Sequence, residues 1–317
     1  MSSTFKYSNT NKRYHTYSYH LKQQYQQKVF RIPIDAGFTC PNRDGTCGYR
    51  GCSFCSARGS GDVIVGEKIE EQITSGFELM ERKWPNGLAI AYFQAYTNTH
   101  APLPQLVSLY TPFFEDERFV EVIIATRSDA LDDEKIAYFA KMAHKKPLWI
   151  ELGLQTIHES TTQHINRGHD LTSFVDIVQK LAQTKIKIGV HIINGLPHET
   201  EEMMIDTAKF VAQLPIDGLK IHMFHVLKRT LEAQRYQQEP YPLLSREEYV
   251  DITCQQLQLL PPEMIILRIT GDGLADELIA PQWTKKKIQV TNEIDKKLAR
   301  DDSYQGQLYR KYQPENS

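Results

Sequence analysis

Apolar runs of six to eight residues alternate with longer stretches of helical spacing along most of the chain. The runs that read as buried strands are "RIPIDA" (31–36), "LAIAYF" (88–93), "VEVIIAT" (120–126), "LWIELGL" (148–154), "IKIGVHII" (186–193), "DGLKIHMF" (217–224) and "EMIILRIT" (263–270). Between them lie helical patterns such as "EKIEEQITSGFELMERKW" (67–84), "PLPQLVSLYTPFFED", "DDEKIAYFAKMAHK", "DLTSFVDIVQKLAQTK", "ETEEMMIDTAKFVAQL" and "SREEYVDITCQQLQLL" (245–260). A short helix is expected near 17–27. Strands alternating with helices predict right-handed crossovers and a parallel sheet in an α/β fold, either open or curled into a partial barrel. Reactive residues then belong in the loops at the carboxyl ends of the strands. Those loops hold the polar oddities: "DAGFTCPNRD", "QAYTNTH", "RSDA", "QTIHES", "NGLPHET", "HVLKRT" and "GDGLAD". Loops of this kind meeting on one face point to an enzyme more than to a scaffold.

Composition adds little to this. Of 317 residues, 41% are hydrophobic and 24% charged, which suits a soluble globular protein. A net charge of −2 gives no global attraction to nucleic acid or membrane, but the charge is uneven. Up to Ala36 the chain carries Lys6, Lys12, Arg13, Lys22, Lys28 and Arg31 against one acid, Asp35. The first ten residues are polar and lack the apolar core of a signal peptide. No run approaches the roughly 18 apolar residues of a spanning helix. A cytoplasmic protein with no membrane partner is expected, and in that compartment clustered cysteines mean metal or redox chemistry more often than disulfides. Cys254, alone in a helical pattern, reads as a buried thiol.

Four of the five cysteines fall in one loop, spaced Cys40-x6-Cys47-x4-Cys52-x2-Cys55. A C-x2-C pair lets one turn present two sulfurs to a single centre. Four thiolates suit structural zinc, whereas three leave one iron of a cluster open to a ligand. Spacing alone leaves both readings standing.

The context of the loop narrows them. It follows the first strand of a βα array and has Phe54 between the paired cysteines. "CPNRDGT…GCSFC" resembles a bacterial branch of the radical S-adenosylmethionine (SAM) enzymes, similar to the radical SAM core of the Elongator-type tRNA-modifying enzymes. The likeness extends from about Phe30 to Asp272 through "YFQAYTNT" (92–99), "ELGLQT" (151–156), "INRGHD" (165–170) and "HIINGLP" (191–197). It implies a partial (βα)6-type barrel over residues 29–272, with a basic, aromatic extension at 1–28 and a second extension at 273–317. It implies a [4Fe–4S] cluster on Cys40, Cys52 and Cys55, with Cys47 as the competing third ligand. SAM is then the cofactor that meets the open iron.

Further roles follow from the same resemblance. Phe54 packs near the adenine, and Gln94, Ala95 and Tyr96 occupy the place of the superfamily's Gly-Gly-Glu segment, although no Gly-Gly stands here. Glu151 and Gln155 face the barrel interior, and Glu151 needs a charged or hydrogen-bonding partner there. Arg167 is offered as a bidentate clamp for the SAM carboxylate, while Asn194 and Gly195 meet the adenine through their backbone. Asp129, His222, His225, Lys228, Arg268 and Asp272 are candidate substrate contacts. The resemblance implies remodelling of the C5 substituent of a tRNA wobble uridine, from carboxymethylaminomethyl towards aminomethyl, and requires a low-potential electron donor. Too few residues follow the last predicted strand for an acetyltransferase domain. Basic residues interleaved with Tyr7, Tyr14, Tyr17, Tyr19 and Tyr25 suit contact with RNA. Competing readings are a radical SAM enzyme acting on a small metabolite or protein side chain, and a zinc-stapled interaction protein.

Overall fold

In the computed structural model, residues 5–59, 61, 64, 66–271 and 275–310 are described. The strands are β1 (Val29–Ile34), β2 (Leu88–Phe93), β3 (Phe119–Thr126), β4 (Leu148–Gln155), β5 (Lys187–Asn194), β6 (Gly218–Met223), β7 (Val226–Leu227), β8 (Ile265–Arg268) and β9 (Leu278–Ala280). A seven-stranded sheet runs in the order β1-β2-β3-β4-β5-β6-β8, and β7 and β9 form a separate antiparallel pair. β1 pairs in parallel with β2, β2 with β3, β3 with β4, and β6 with β8. The parallel α/β fold expected from the alternating pattern is therefore the fold observed.

The chain divides into two compact units, one of residues 21–154 and 165–190, the other of 1–20, 155–164 and 191–317. In the first unit, helices α2 (Ile69–Lys83), α3 (Leu103–Glu115), α4 (Asp133–Ala143) and α6 (Leu171–Ala182) follow the strands, as the spacing predicted. Their starts are written locally. Asp132 caps α4 by accepting from the Lys135 amide at 2.9 Å, and Asp170 caps α6 through the Ser173 amide at 2.7 Å. Such caps contribute about 1 kcal/mol each. β1 starts two residues earlier than its apolar run suggested, because Val29–Ile34 pair one for one with Leu88–Phe93. The chain leaves the sheet at Asp35, whose amide is taken by the Gln72 side chain at 2.8 Å. From here the cysteine loop begins.

The second unit holds α5 (Glu159–His164), α7 (Glu201–Val211), α8 (Leu231–Gln238), α9 (Arg246–Leu259) and α10 (Lys287–Arg300). Ser245 and Glu248 form a reciprocal cap at the start of α9, whose Tyr249, Ile252 and Leu257 are buried. The N-terminal residues are built into this unit. Lys12 pairs with Asp295 of α10, Arg13 with Asp302 at 2.8 Å, and the His15 amide donates to Gln305 at 2.8 Å. Tyr14 and Tyr17 are buried, and Tyr7 stacks on His15 with ring centroids 4.7 Å apart. Several of the first basic and aromatic residues are thus engaged in packing, while Lys6 and Lys22 are exposed. Helix α1 (Tyr17–Tyr25) ends with the Tyr25 hydroxyl donating to Glu121 at 2.8 Å.

Candidate functional site

The loop after β1 is closed by its own backbone. Arg43 N–H donates to Cys40 O at 2.8 Å, Cys47 N–H to Pro41 O at 2.9 Å, and Cys55 N–H to Cys52 O at 3.1 Å. The Arg43 guanidinium donates to the carbonyls of Cys55, Ser56 and Ala57, so one side chain gathers the far half of the loop. Asn42 ties the near half. It lies 1% exposed, with Nδ2 donating to the carbonyls of Asn166 and Arg167 and lying 3.9 Å from Cys52 Sγ. A Cβ at Gly48 would stand 2.2 Å from Asn42 Oδ1, so glycine is required there for close approach.

The "NRGH" loop answers from the other side. Ser53 N–H donates to Ile165 O at 2.8 Å and Asn166 Nδ2 to Gly51 O at 2.8 Å. Arg127, at the end of β3, donates from Nη1 to Arg167 O at 2.7 Å. Its other nitrogens hold Asp129 in a two-pronged ion pair at 2.9 and 2.7 Å. Its Nη2 also lies 3.7 Å from Cys47 Sγ, and that thiol is 3.7 Å from Asp129 Oδ2. Cys47 is exposed, whereas Cys40, Cys52 and Cys55 are half-buried free thiols.

Burial pushes the Cys52 thiol up to about 12, and negative charge on Cys55 and Cys40 pushes in the same direction. Burial alone would lower the Arg127 pKa, but Asp129 and negative charge on Cys40 and Cys52 raise it above the usual range. Arg43 is likewise raised, against its burial, by Cys55, Tyr96 and Cys40. Burial likewise raises the Cys47 thiol, with Arg127 lowering it and Asp129 and Cys40 raising it, so the loop's thiols share the fields of Arg43 and Arg127. His169 is lowered to about 4 by burial and by the charges of Arg167 and Arg127, so its ring is neutral at neutral pH.

The end of β2 packs on the same loop. Thr97 N–H donates to Thr39 O at 3.2 Å and Tyr96 N–H to Gly59 O at 2.8 Å. Tyr96 takes a left-handed backbone (φ 57°), its hydroxyl donates to Ala57 O, and the Arg43 guanidinium lies 5.4 Å from its ring. Ala95 is fully buried, its carbonyl held by Asn98 Nδ2 at 3.0 Å. On β4, Glu151 is 1% exposed and accepts from the Tyr92 hydroxyl at 2.9 Å, the partner its burial required. The Arg31 guanidinium lies 5.3 Å from the Tyr92 ring. Arg167 is as deeply buried. Its Nη1 donates to Leu154 O at 2.8 Å and its Nε to His169 O at 3.0 Å.

Residues 44–211 match the family model described as the radical SAM superfamily, and residues 216–300 match the Radical_SAM C-terminal domain. The chain belongs to the radical SAM superfamily. The radical SAM chain is 45% identical to YtqA of Bacillus subtilis over 319 residues, covering 100% of this chain and 99% of that protein. It is 25% identical over 160 residues to the tRNA uridine(34) acetyltransferase of Methanocaldococcus jannaschii, covering 50% of this chain and 29% of that one. Its fold is that of the Elp3 of Methanocaldococcus infernus at a TM-score of 0.64 and 16% identity, covering 86% of this chain and 63% of that structure. As a radical SAM enzyme it uses a [4Fe–4S] cluster and SAM, which displaces the zinc reading.

The residues of the loop fit such a cluster. A buried thiol raised to about 12, as at Cys52, is relieved when cationic iron takes the place of its proton. Arg43 and Arg127 offset the charge that remains. Sequence reasoning missed Arg127 and placed Asp129 with the substrate; the ion pair between them, two residues apart, engages both. Arg127→Gln is expected to lower cluster retention by roughly ten- to a hundredfold, as loss of an outer-shell partner does, measured as iron and sulfide per chain after gel filtration.

Asn194, Gly195, Gln155 and Lys228 lie in the other unit, whereas Phe54 lies with the cysteine loop. Asn194 is buried and exchanges two hydrogen bonds with Gln256 at 2.8 and 2.9 Å, which commits its side chain to packing, and its carbonyl accepts from Phe224 N–H. Gly195 takes φ 82°, and Leu244 fills the space a Cβ would need. Gln155 also has a left-handed backbone, at φ 62°. Lys228 is exposed and donates to Asp276 O at 2.6 Å. Asp272 lies outside the described residues. Phe54 is half-buried between the paired cysteines. Among the described residues, no helix is long and apolar enough to cross a membrane.

Proposed function

We propose that Cys40, Cys52 and Cys55 hold the cluster, with Cys47 outside the ligand set, and that the substrate is tRNA, remodelled at C5 of its wobble uridine from carboxymethylaminomethyl towards aminomethyl. Bound there, the cluster supplies the electron that cleaves SAM to methionine and a 5′-deoxyadenosyl radical. The chain's own residues hold the loop, balance its charge and fix the adjoining strand ends. Phe54, the backbone of Gln94 to Tyr96 and of Asn194 and Gly195, Glu151, Gln155 and Arg167 are the SAM-facing set in this reading. A low-potential donor in the cytoplasm reduces the cluster.

The likeness to the tRNA uridine(34) acetyltransferase supports the substrate class. The observation that carries it on this molecule is a surface groove of about 570 Å³ on α10 and the turn before it, lined by Lys285, Lys286, Lys287 and Lys296. Its one carboxylate, Glu293, is paired with Arg246 at 2.8 Å. Four lysines, on a chain of net charge −2, suit this groove to a phosphate backbone.

The test is anaerobic. The reduced, cluster-loaded enzyme should release more 5′-deoxyadenosine when given tRNA from a strain lacking its gene, with a changed wobble nucleoside. Release indifferent to tRNA would move the substrate to a small metabolite or protein side chain. Replacing Lys285, Lys286 and Lys296 by Gln should weaken tRNA binding and flatten the slope of log affinity against log salt by roughly two to three. An unchanged slope would remove the groove from the RNA path.

A further inference from the structure

Within the unit that contains residues 191–310, one face of the sheet gathers basic groups. β5, β6 and β8 are neighbours. His191 lies on β5, Lys220 and His222 on β6, and Arg268 ends β8. Lys220 and Arg268 are register partners on adjacent strands. Lys220 and His222 are two residues apart, so both leave β6 on one face. The His191 and His222 rings meet across β5 and β6, centroids 5.6 Å apart and tilted by 31°. His225 follows β6, with its Cε1 3.0 Å from where a Cβ would stand at Gly271.

Lys220 is buried, and His191, His222, His225 and Arg268 are half-buried. Lys220 is 2% exposed, and His222 Nε2 is buried without a hydrogen-bond partner among the described residues. Burial, with the basic groups of His191, Arg268 and Lys220, holds His222 well below its ordinary range, and burial with Arg268 holds His225 near 4. Both imidazoles are therefore neutral at neutral pH, and each carries one N–H to give. An ammonium, a guanidinium fork and an imidazole N–H on adjacent strands are complementary to a planar carboxylate.

We infer that the face formed by His191, Lys220, His222 and Arg268 binds a carboxylate carried by the substrate. The inference rests on the proposed function, where the group to be removed ends in a carboxylate, and it names the residues that recognise that end. SAM also carries a carboxylate, so the test separates the two sources. Binding is measured by fluorescence anisotropy with one tRNA in two forms, its wobble uridine bearing either carboxymethylaminomethyl or aminomethyl. The wild-type protein should prefer the first by on the order of ten- to a hundredfold, the worth of a charged hydrogen bond. Arg268→Gln and Lys220→Met should each erase that preference, and Arg268→Lys should restore part of it. Thermal unfolding of each variant checks that it folds, and the charge-retaining variant carries the test should Lys220→Met not fold.

SAM affinity, measured by equilibrium dialysis, supplies the second arm. Lost SAM affinity with tRNA preference intact would assign the face to SAM and overturn the inference. A wild-type protein that acts on tRNA without preferring the carboxylate form would overturn it as well. A wild-type protein that neither binds nor alters tRNA would bring down the proposed function, and the inference with it.

Discussion

Cys52→Ala is expected to leave a folded chain that retains no cluster and releases no detectable 5′-deoxyadenosine, a loss well beyond the roughly hundredfold of an outer-shell change. Cys40→Ala and Cys55→Ala should do the same. The reason is geometric as much as chemical. Besides its burial, Cys52 feels negative charge on Cys55 and Cys40, opposed by Arg127 and by the Asn42 side chain. Removing any one leaves two thiolates, too few for a cluster with a single open iron. Cys47→Ala should keep its iron and its activity, because that exposed thiol is already placed against Asp129 and Arg127. Iron and acid-labile sulfide per chain, followed by SAM cleavage under reduction, decide the matter. An inert Cys47 variant beside an active Cys40 variant would exchange their roles. Equal loss in all four would favour a ligand set in which Cys47 takes part.

The parts of this chain that were legible in sequence are those fixed by neighbours along the chain. β2, β3 and β4 lie within a residue of their apolar runs, because strands buried on both faces leave continuous hydrophobic signals. The capped helices α4, α6 and α9 begin where a capping residue precedes an apolar pattern. What was missed depends on distant partners or short segments. α5 and α8 have six and eight residues and little apolar content, and β7 and β9 exist only because they pair with each other. The packing of Lys12 could not be read locally, because the acid that holds it lies 283 residues away. Within the site the same rule holds. The Cys-x-Phe-Cys turn is local and readable, whereas the bond from Tyr92 to Glu151 spans 59 residues, and that from Arg127 to the Arg167 carbonyl spans 40.

Arg167→Ala is expected to destabilise the protein by about 3–6 kcal/mol, because two carbonyls each lose a charged donor worth about 1.5–3 kcal/mol. Those carbonyls are Leu154 O, at the end of β4, and His169 O, in the loop that returns to α6. The unfolding midpoint should fall by roughly 6 °C or more. Arg167→Lys should recover only part of this, since an ammonium cannot span both carbonyls with the geometry of a planar fork. The same backbone also accepts from Arg127 and Asn42 at Arg167 O, so loosening it disturbs the wall behind Cys52. Thermal unfolding without SAM, set beside SAM affinity of the folded fraction, separates two roles for this side chain. A large fall in stability with SAM affinity intact makes Arg167 a positioning residue that braces the cluster loop. Unchanged stability with a raised SAM requirement makes it the carboxylate clamp suggested by its sequence context. A fall in both gives it both duties, in which case Arg167→Lys should recover SAM affinity more fully than stability, since attraction to a carboxylate survives the loss of the fork.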